Sequence, residues 1–271
     1  MPPNPKLSTQ TVLVIGGTSG IGLAVAAEAL AQSAAHVTIS GSNPTKLSAA
    51  LSHLRGALPS EADHSRVSGY TCDLSTDGAS VEANLRALLA ATVAGNGNGR
   101  IDHVAYTAGD ALALTPLAQL TAAAIHAGGA VRFVGALLLA KILPAYAAAG
   151  AASSSLTLTG GVNARRPSPG GGWTVAAAYG AALQGAMRGL AVELAPLRVN
   201  LVEPGAVETP LWGASVPGEA GREAMRRRFA ERSTVGRVGR PEDTAEAYVY
   251  LMKDHFAAGA IVESNGGTLL T

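Results

Sequence analysis

Cysteine occurs once in the 271 residues, at Cys72. An internal disulfide framework is therefore excluded, and a reducing compartment is expected. Charge is scarce as well: charged residues are 14% of the chain and nearly cancel, leaving +1. That excludes the basic stripe of a nucleic-acid binder and the basic patch of an anionic-membrane binder. The single basic run, Arg226-Arg227-Arg228, reads as a solvated helix face. The six histidines show no metal-ligand spacing, so no metal is expected, and no Ser-His-Asp arrangement can be assembled. The longest apolar stretch, Phe133 to Gly150, is interrupted by Lys141 and Pro144 and reads as a buried helix, not a membrane span. Met1-Pro2-Pro3-Asn4-Pro5-Lys6 has no apolar signal core. The expectation is a soluble cytoplasmic protein with one domain over residues 1–271, long enough for one large core.

What is present is an alternation. Thr11–Ile15, His36–Ser40, Val67–Thr71, His103–Tyr106, Ser155–Thr159, Val199–Val202 and Ala260–Glu263 are short, mainly apolar runs suited to strands buried on both faces. Helical stretches lie between them, including Leu23–Gln32, Thr45–Leu54 after Pro44, and Ser80–Ala91. The pattern predicts an α/β fold: a Rossmann-type, doubly wound parallel sheet of about seven strands with helices on both faces. Ligands of such a sheet bind at the carboxyl ends of the strands, so the loops after the first six strands should carry function.

The first of those loops is Gly16-Gly17-Thr18-Ser19-Gly20-Ile21-Gly22. It follows a strand and opens a helix, the context in which a glycine fingerprint marks dinucleotide binding. Gly16, Gly20 and Gly22 permit a tight turn and close backbone approach. Thr18 and Ser19 add hydroxyls, and the helix N-terminus meets the pyrophosphate. At the end of the second strand a carboxylate would hold the ribose 2′-hydroxyl of NAD. This chain has none there: Ser40, Ser42, Asn43 and Lys46 stand where a 2′-phosphate would sit, so NADP(H) is the expected cofactor.

These residues, with Asp73-Leu74, Ala108-Gly109, Arg198-Val199-Asn200, Pro204 to Pro210 and Asn265-Gly266-Gly267, resemble the short-chain dehydrogenase/reductase family, in order and over nearly the whole chain. The resemblance implies that Asp73 and Leu74 contact the adenine and that Ala108 and Gly109 line the cofactor. It also implies that Pro204, Gly205, Val207 and Thr209 cover the nicotinamide, and that the chain forms a dimer or tetramer through long helices near 121–147 and 174–195.

The catalytic half departs from the family, whose site uses asparagine, serine, tyrosine and lysine. Counting back from Leu190-Ala191-Val192-Glu193-Leu194 puts Ala176 at the tyrosine position and Gly180 at the lysine position. Tyr179 is shifted by three residues, about 60° in facing and about 4.5 Å in height, and Leu183 follows it where lysine is needed. Glycine in Thr159-Gly160-Gly161 takes the serine position, with Thr159 beside it. Arg132 replaces the asparagine. As a permanent cation it could orient a carbonyl or stabilise negative charge, or simply snorkel to water. Arg165, Arg166, Trp173 and Trp212 lie on loops expected to face the cleft, the tryptophans as walls for a flat, bulky substrate. Asp110 and Glu203 read as structural.

Ketone reduction puts charge on oxygen and calls for a nearby acid, whereas an iminium carbon needs only hydride. The expectation is an NADPH-dependent reductase of an iminium or imine in a bulky heteroaromatic secondary metabolite, with Arg132 orienting a substrate carbonyl. Thr157 to Gly161, Trp173 and Leu211-Trp212 resemble a fungal branch of the family, the reductase/Diels–Alderase enzymes of prenylated indole alkaloid pathways. That resemblance implies a guided [4+2] cycloaddition after reduction. The rival readings are a carbonyl reductase that uses Tyr179 as acid and a non-catalytic NADP-binding regulator.

Overall fold

The computed structural model describes residues 6–110, 112, 114–148, 152–215 and 218–271. Seven parallel strands form one sheet in the order β3-β2-β1-β4-β5-β6-β7. They are β1 (Thr11–Ile15), β2 (His36–Gly41), β3 (Val67–Thr71), β4 (His103–Tyr106), β5 (Ser155–Thr159), β6 (Arg198–Pro204) and β7 (Ile261–Ser264). The order reverses between β1 and β4, and this opens a crevice at their carboxyl ends. The strands read as continuous apolar runs because helices cover both faces. Leu13 and Ile15 point into one core with Val104, Leu156 and Leu201. Val12 and Val14 point into the other with Val37, Ile39 and Val202.

The helices on the first face include α3 (Gly78–Gly95), α5 (Ala136–Ile142) and α6 (Thr174–Glu193). On the second lie α1 (Gly20–Ala31), α2 (Pro44–Gly56) and α9 (Pro241–Lys253). The remaining helices, α4 (Ala122–Gly129), α7 (Pro210–Ser215) and α8 (Glu219–Ala230), stand around the crevice.

The apolar stretch around Phe133 differs from the expected buried helix. Helical structure starts earlier, at Ala122, and is continuous to Ala145. It is long and apolar enough to cross a membrane by length and composition, yet one side is buried through Val131, Ala136, Leu139 and Leu143 while Ile125 and Val134 are exposed. The end of the expected stretch, Gly150, lies outside the described residues. Between α4 and α5 the backbone makes a π-helical turn, Ala130–Gly135. The Tyr106 hydroxyl donates to the Val131 carbonyl there at 2.5 Å. Such turns form where an outside donor competes for a helix carbonyl.

Two buried polar residues hold the sheet to its surroundings. Arg198 donates to the carbonyls of Ala152, Leu251 and Met252, so a buried cation closes the C-terminal end of α9. His103 is fully buried. Its Nε2 donates to Gln10 Oε1 at 2.7 Å and its Nδ1 accepts from the Ser155 hydroxyl at 2.9 Å, the tautomer that an amide oxygen demands.

Burial first, and the Arg198 charge second, push the His103 imidazole down from 6.5 to about 3. In the unfolded chain it protonates near its ordinary value, so between these two pH values the unfolded state binds more protons. This contribution to stability is fully present above pH 6.5 and is lost as pH falls toward 3, at up to about 1.4 kcal/mol per pH unit. Thermal melts from pH 7 downward are expected to show Tm falling more steeply in the wild type than in His103→Gln.

Candidate active site

The crevice is a cleft of about 620 Å³. Its walls come from the loops after the first six strands, as the topology requires, and also from α8 and the C-terminal turn. The cofactor end starts at Gly16, whose φ of +89° and close approach to the Ala108 backbone leave no room for a Cβ. The amides of Gly16 and Gly17 donate to the Ser40 carbonyl at 3.0 and 2.9 Å, which ties the turn to β2. No side chain caps the first turn of α1, so its amides remain available to an anion. Thr18, Ser19, Gly20 and Ile21 line the cleft; Gly22 does not. A Cβ on Gly22 would run into the Gly16 carbonyl and the Thr107 hydroxyl. The missing Cβ at Gly22 lets the helix pack under the turn.

Ser40, Ser42, Asn43 and Lys46 line the same end. Two of them have prior work. Ser40 is fully buried and its carbonyl holds the glycine turn. Asn43 Oδ1 accepts from the Lys46 amide at 2.9 Å and so caps α2, a role its position before Pro44 invites. Asp73 and Leu74 line the cleft after β3, Ala108 and Gly109 after β4, and Pro204, Gly205, Val207 and Thr209 after β6. The Asp73 carboxylate accepts from the Ser75 hydroxyl and amide, which hold it below the usual carboxylate range. Beside it the buried Cys72 thiol is pushed up to about 11, by burial first and by Asp73 second. It is no nucleophile at neutral pH. These residues form a glycine cradle and free helix amides with one lysine, Lys46, at the rim, which fits a nicotinamide dinucleotide.

At the substrate end, Arg132 emerges from the π-helical turn and donates to the Asp110 backbone oxygen. Its Nε lies 3.6 Å from the Asp110 carboxylate and has no hydrogen-bond partner. Burial lowers the guanidinium's proton affinity, and Asp110 opposes that; the group stays cationic at neutral pH. Asp110, expected to be structural, lines the cleft and partners the arginine.

Three bulky side chains around the site sit in glycine sockets. A Cβ on Gly109 would overlap the Arg132 guanidinium, one on Gly129 the Tyr179 ring, and one on Gly135 would lie 2.5 Å from the Tyr106 hydroxyl. Tyr179 lines the cleft and packs on Phe133 with ring centroids 5.6 Å apart.

Counting along α6 sets the family's acid and base at Ala176 and Gly180. Ala176 lines the cleft. Gly180 lines it too, with Ala164 packed behind it, where a Cβ would lie 3.1 Å from Ala164 Cβ. Thr159 has its hydroxyl committed to the Tyr106 carbonyl (2.6 Å) and the Tyr248 hydroxyl (2.5 Å). Trp173 and Trp212 both line the cleft, and Trp212 packs on Phe229 at 5.6 Å. Arg166 lines it too, and donates to the Thr268 carbonyl at 2.9 Å. Arg165 is a correction: it turns away to pair with buried Glu203, 3.3 Å away, and with Glu263. Glu203 also accepts from Gln184 at 2.6 Å, so it anchors the loop as expected. Thr107, Phe229, Arg232 and Thr268 were not anticipated and line the cleft.

The family described as the SDR-like Rossmann domain matches residues 4–271. This chain belongs to the short-chain dehydrogenase/reductase family. It is 42% identical over 268 residues to the short-chain dehydrogenase/reductase malC of Malbranchea aurantiaca, covering 97% of this chain and 96% of that protein. It is 39% identical to fsr5 of Gibberella fujikuroi, covering 98% and 97%. The solved MalC reductase/Diels–Alderase superposes with a TM-score of 0.90 at 41% identity, over 99% of both chains. An NADPH-bound short-chain oxidoreductase of Pseudomonas aeruginosa, described as containing an atypical catalytic center, superposes at 0.81 with 25% identity, over 96% of this chain and 97% of that one. Membership in the family makes the chain an oxidoreductase of a small molecule, with a nicotinamide cofactor bound across the crevice.

Proposed function

We propose that this enzyme is an NADPH-dependent reductase of an iminium or already protonated imine carbon in a bulky heteroaromatic secondary metabolite. The observation that carries the reading is the substrate end itself: Ala176 and Gly180 offer no proton, Thr159 is committed, and a clamped arginine faces the space they line. When bound, the reduced nicotinamide supplies hydride. An iminium carbon accepts that hydride and becomes an amine carbon with no proton required, while a ketone oxygen would need an acid. Arg132 orients a carbonyl of the substrate and stabilises negative charge on it. Trp173 and Trp212 sandwich the flat ring system. The likeness to MalC, named a reductase/Diels–Alderase, supports a second step in which the same walls hold the reduced product for [4+2] cycloaddition. The exposed apolar side of the α4–α5 stretch, with Ile125 and Val134, and exposed Val192 on α6 support a homodimer or homotetramer.

NADP(H) selection rests on Ser42, Lys46 and the N-terminus of α2, with no carboxylate on the loop after β2. Lys46→Glu is expected to weaken NADPH binding about tenfold or more, the loss of one charge-assisted phosphate contact, and to weaken NADH binding less. Fluorescence titration of the two cofactors checks this.

A carbonyl reductase using Tyr179 is the second reading, because that hydroxyl-bearing side chain lines the same cleft. NADPH consumption with matched iminium ions, imines and ketones separates the two. Turnover of iminium ions but not ketones is expected; ketone turnover abolished by Tyr179→Phe overturns the reading. Binding of NADPH with no transfer to any acceptor favours a regulator.

A further inference from the structure

Arg132 sits where two differently docked helices meet. α4 packs on α6: a Cβ on Gly128 would lie 2.7 Å from Val175, and Gly129 receives the Tyr179 ring. α5 packs on the sheet instead, burying Ala136, Leu139, Ala140 and Leu143 in the first core. An α-helix turns about 100° per residue. One residue taken up in the wider turn at Ala130–Gly135 therefore resets the facing of one helix against the other by about that angle. Arg132 lies inside this turn. Closing the turn to a regular α-helix, with both helices kept on their partners, would swing the arginine off Gly109 and the Asp110 backbone.

One side chain from outside the helix holds the turn open. Tyr106, the last residue of β4, is buried, and its hydroxyl donates to the Val131 carbonyl at 2.5 Å. This takes the carbonyl away from the helix ladder. The donor is itself fixed. The Tyr106 backbone is in register with Ile15 of β1 and Leu158 of β5. Its carbonyl accepts from the Thr159 hydroxyl, which in turn accepts from the buried Tyr248.

Gly135 makes room for that hydroxyl. Its φ of −59° is helical backbone that any residue adopts. A Cβ there would lie 2.5 Å from the Tyr106 hydroxyl, and the next atom, the Ala130 carbonyl oxygen, is 3.5 Å away. Glycine inside a helix costs stability relative to alanine, and the hydroxyl is the one close neighbour that explains it here. Burial pushes the Tyr106 hydroxyl above its ordinary range, so it remains a donor at neutral pH and well above.

We propose that Tyr106 is a positioning residue for the reaction: its hydroxyl, acting through the Val131 carbonyl, sets the turn that aims Arg132 at the acceptor. The proposal rests on the reading of Arg132 as the group that orients the acceptor, and adds the residue that orients Arg132. The bond to Asp110 fixes the tip of the arginine. Tyr106 fixes the backbone from which it starts.

Single-turnover hydride transfer from NADPH to an N-methyl dihydro-β-carbolinium tests this in wild type, Tyr106→Phe, Arg132→Ala and the double variant. Tyr106→Phe is expected to slow transfer about tenfold, the cost of a small misplacement at the reacting centre, with NADPH affinity kept. In the Arg132→Ala background it is expected to slow transfer no further. Gly135→Ala is expected to slow the wild type as well, because its methyl pushes on the hydroxyl, and to be harmless in Tyr106→Phe, where the hydroxyl is gone. Crystal structures of wild type and Tyr106→Phe read the same effect without chemistry: the turn is expected to close and Arg132 to leave the Gly109 socket. An unmoved Arg132 in Tyr106→Phe overturns the proposal. So does an equal slowing with and without Arg132, which would mean that the hydroxyl serves only the stability of the site. Full activity of Arg132→Ala would instead sink the part assigned to the arginine, and the two crystal structures would still decide whether Tyr106 aims it.

Discussion

Arg132→Ala is expected to lower kcat for iminium reduction by about 100-fold or more, the usual cost of removing one preorganised donor from a reacting centre, while NADPH binding is retained. The expectation follows from how the guanidinium is held. It leaves a π-helical turn, is clamped through the Asp110 backbone and lies against Gly109. Orienting the donor therefore costs no reorganisation when substrate arrives. Arg132→Lys is expected to rescue little, because an ammonium cannot both meet the Asp110 carbonyl and present a planar donor pair.

Gly109→Ala gives an independent check. Its Cβ would fall on the arginine's far end, a flexible group that can move aside, so activity should drop with little change in Tm. Stopped-flow hydride transfer and melting curves read both quantities. Undiminished iminium reduction by Arg132→Ala would remove the residue from the mechanism.

Gly16→Ala should nearly abolish cofactor binding, lowering affinity by about 100-fold or more. Two costs add. A φ of +89° strains any residue with a Cβ by about 1–2 kcal/mol. The new methyl would also lie 2.6 Å from the Ala108 amide nitrogen, a backbone atom that can move only if β4's loop moves. The turn would then pull away from the Ser40 carbonyl that fixes it. A Tm loss of several degrees is expected, since each kcal/mol shifts Tm by about 2–4 °C in a chain of this size. Titration with NADPH, together with circular dichroism to verify folding, measures the effect. Wild-type affinity in Gly16→Ala would mean that the cofactor does not approach this turn.

The strands were legible because both faces are covered, which writes continuous apolar runs into the sequence. β6 was read from Val199 and starts at Arg198, whose charge hid a strand residue that serves the end of α9. The π-helical turn was not legible. It depends on a hydroxyl from Tyr106, 25 residues earlier, and no local pattern encodes a distant donor. Neighbouring Arg165 and Arg166 look alike in sequence, and only Glu203 and Glu263, brought in by β6 and β7, decide which one turns from the cleft. Asn43 had a readable signal, asparagine before proline at a helix start, that competes with a phosphate-binding reading. Phe229, Arg232 and Thr268 reach the site through the fold of the last third of the chain, and nothing near them in sequence announces it.

The contact between Gly180 and Ala164 bears on how this site could change. A side chain at 180 must push the 162–164 turn outward by a few tenths of an ångström at least. That turn is moored on both sides, by Arg165 to two glutamates and by Arg166 to the Thr268 carbonyl. A longer side chain placed at 180 is therefore felt first by this turn and not by the open cleft. The space for it comes either from loosening that mooring or from a smaller residue at 164, so positions 164, 165, 166 and 180 are mechanically one unit at the edge of the cleft.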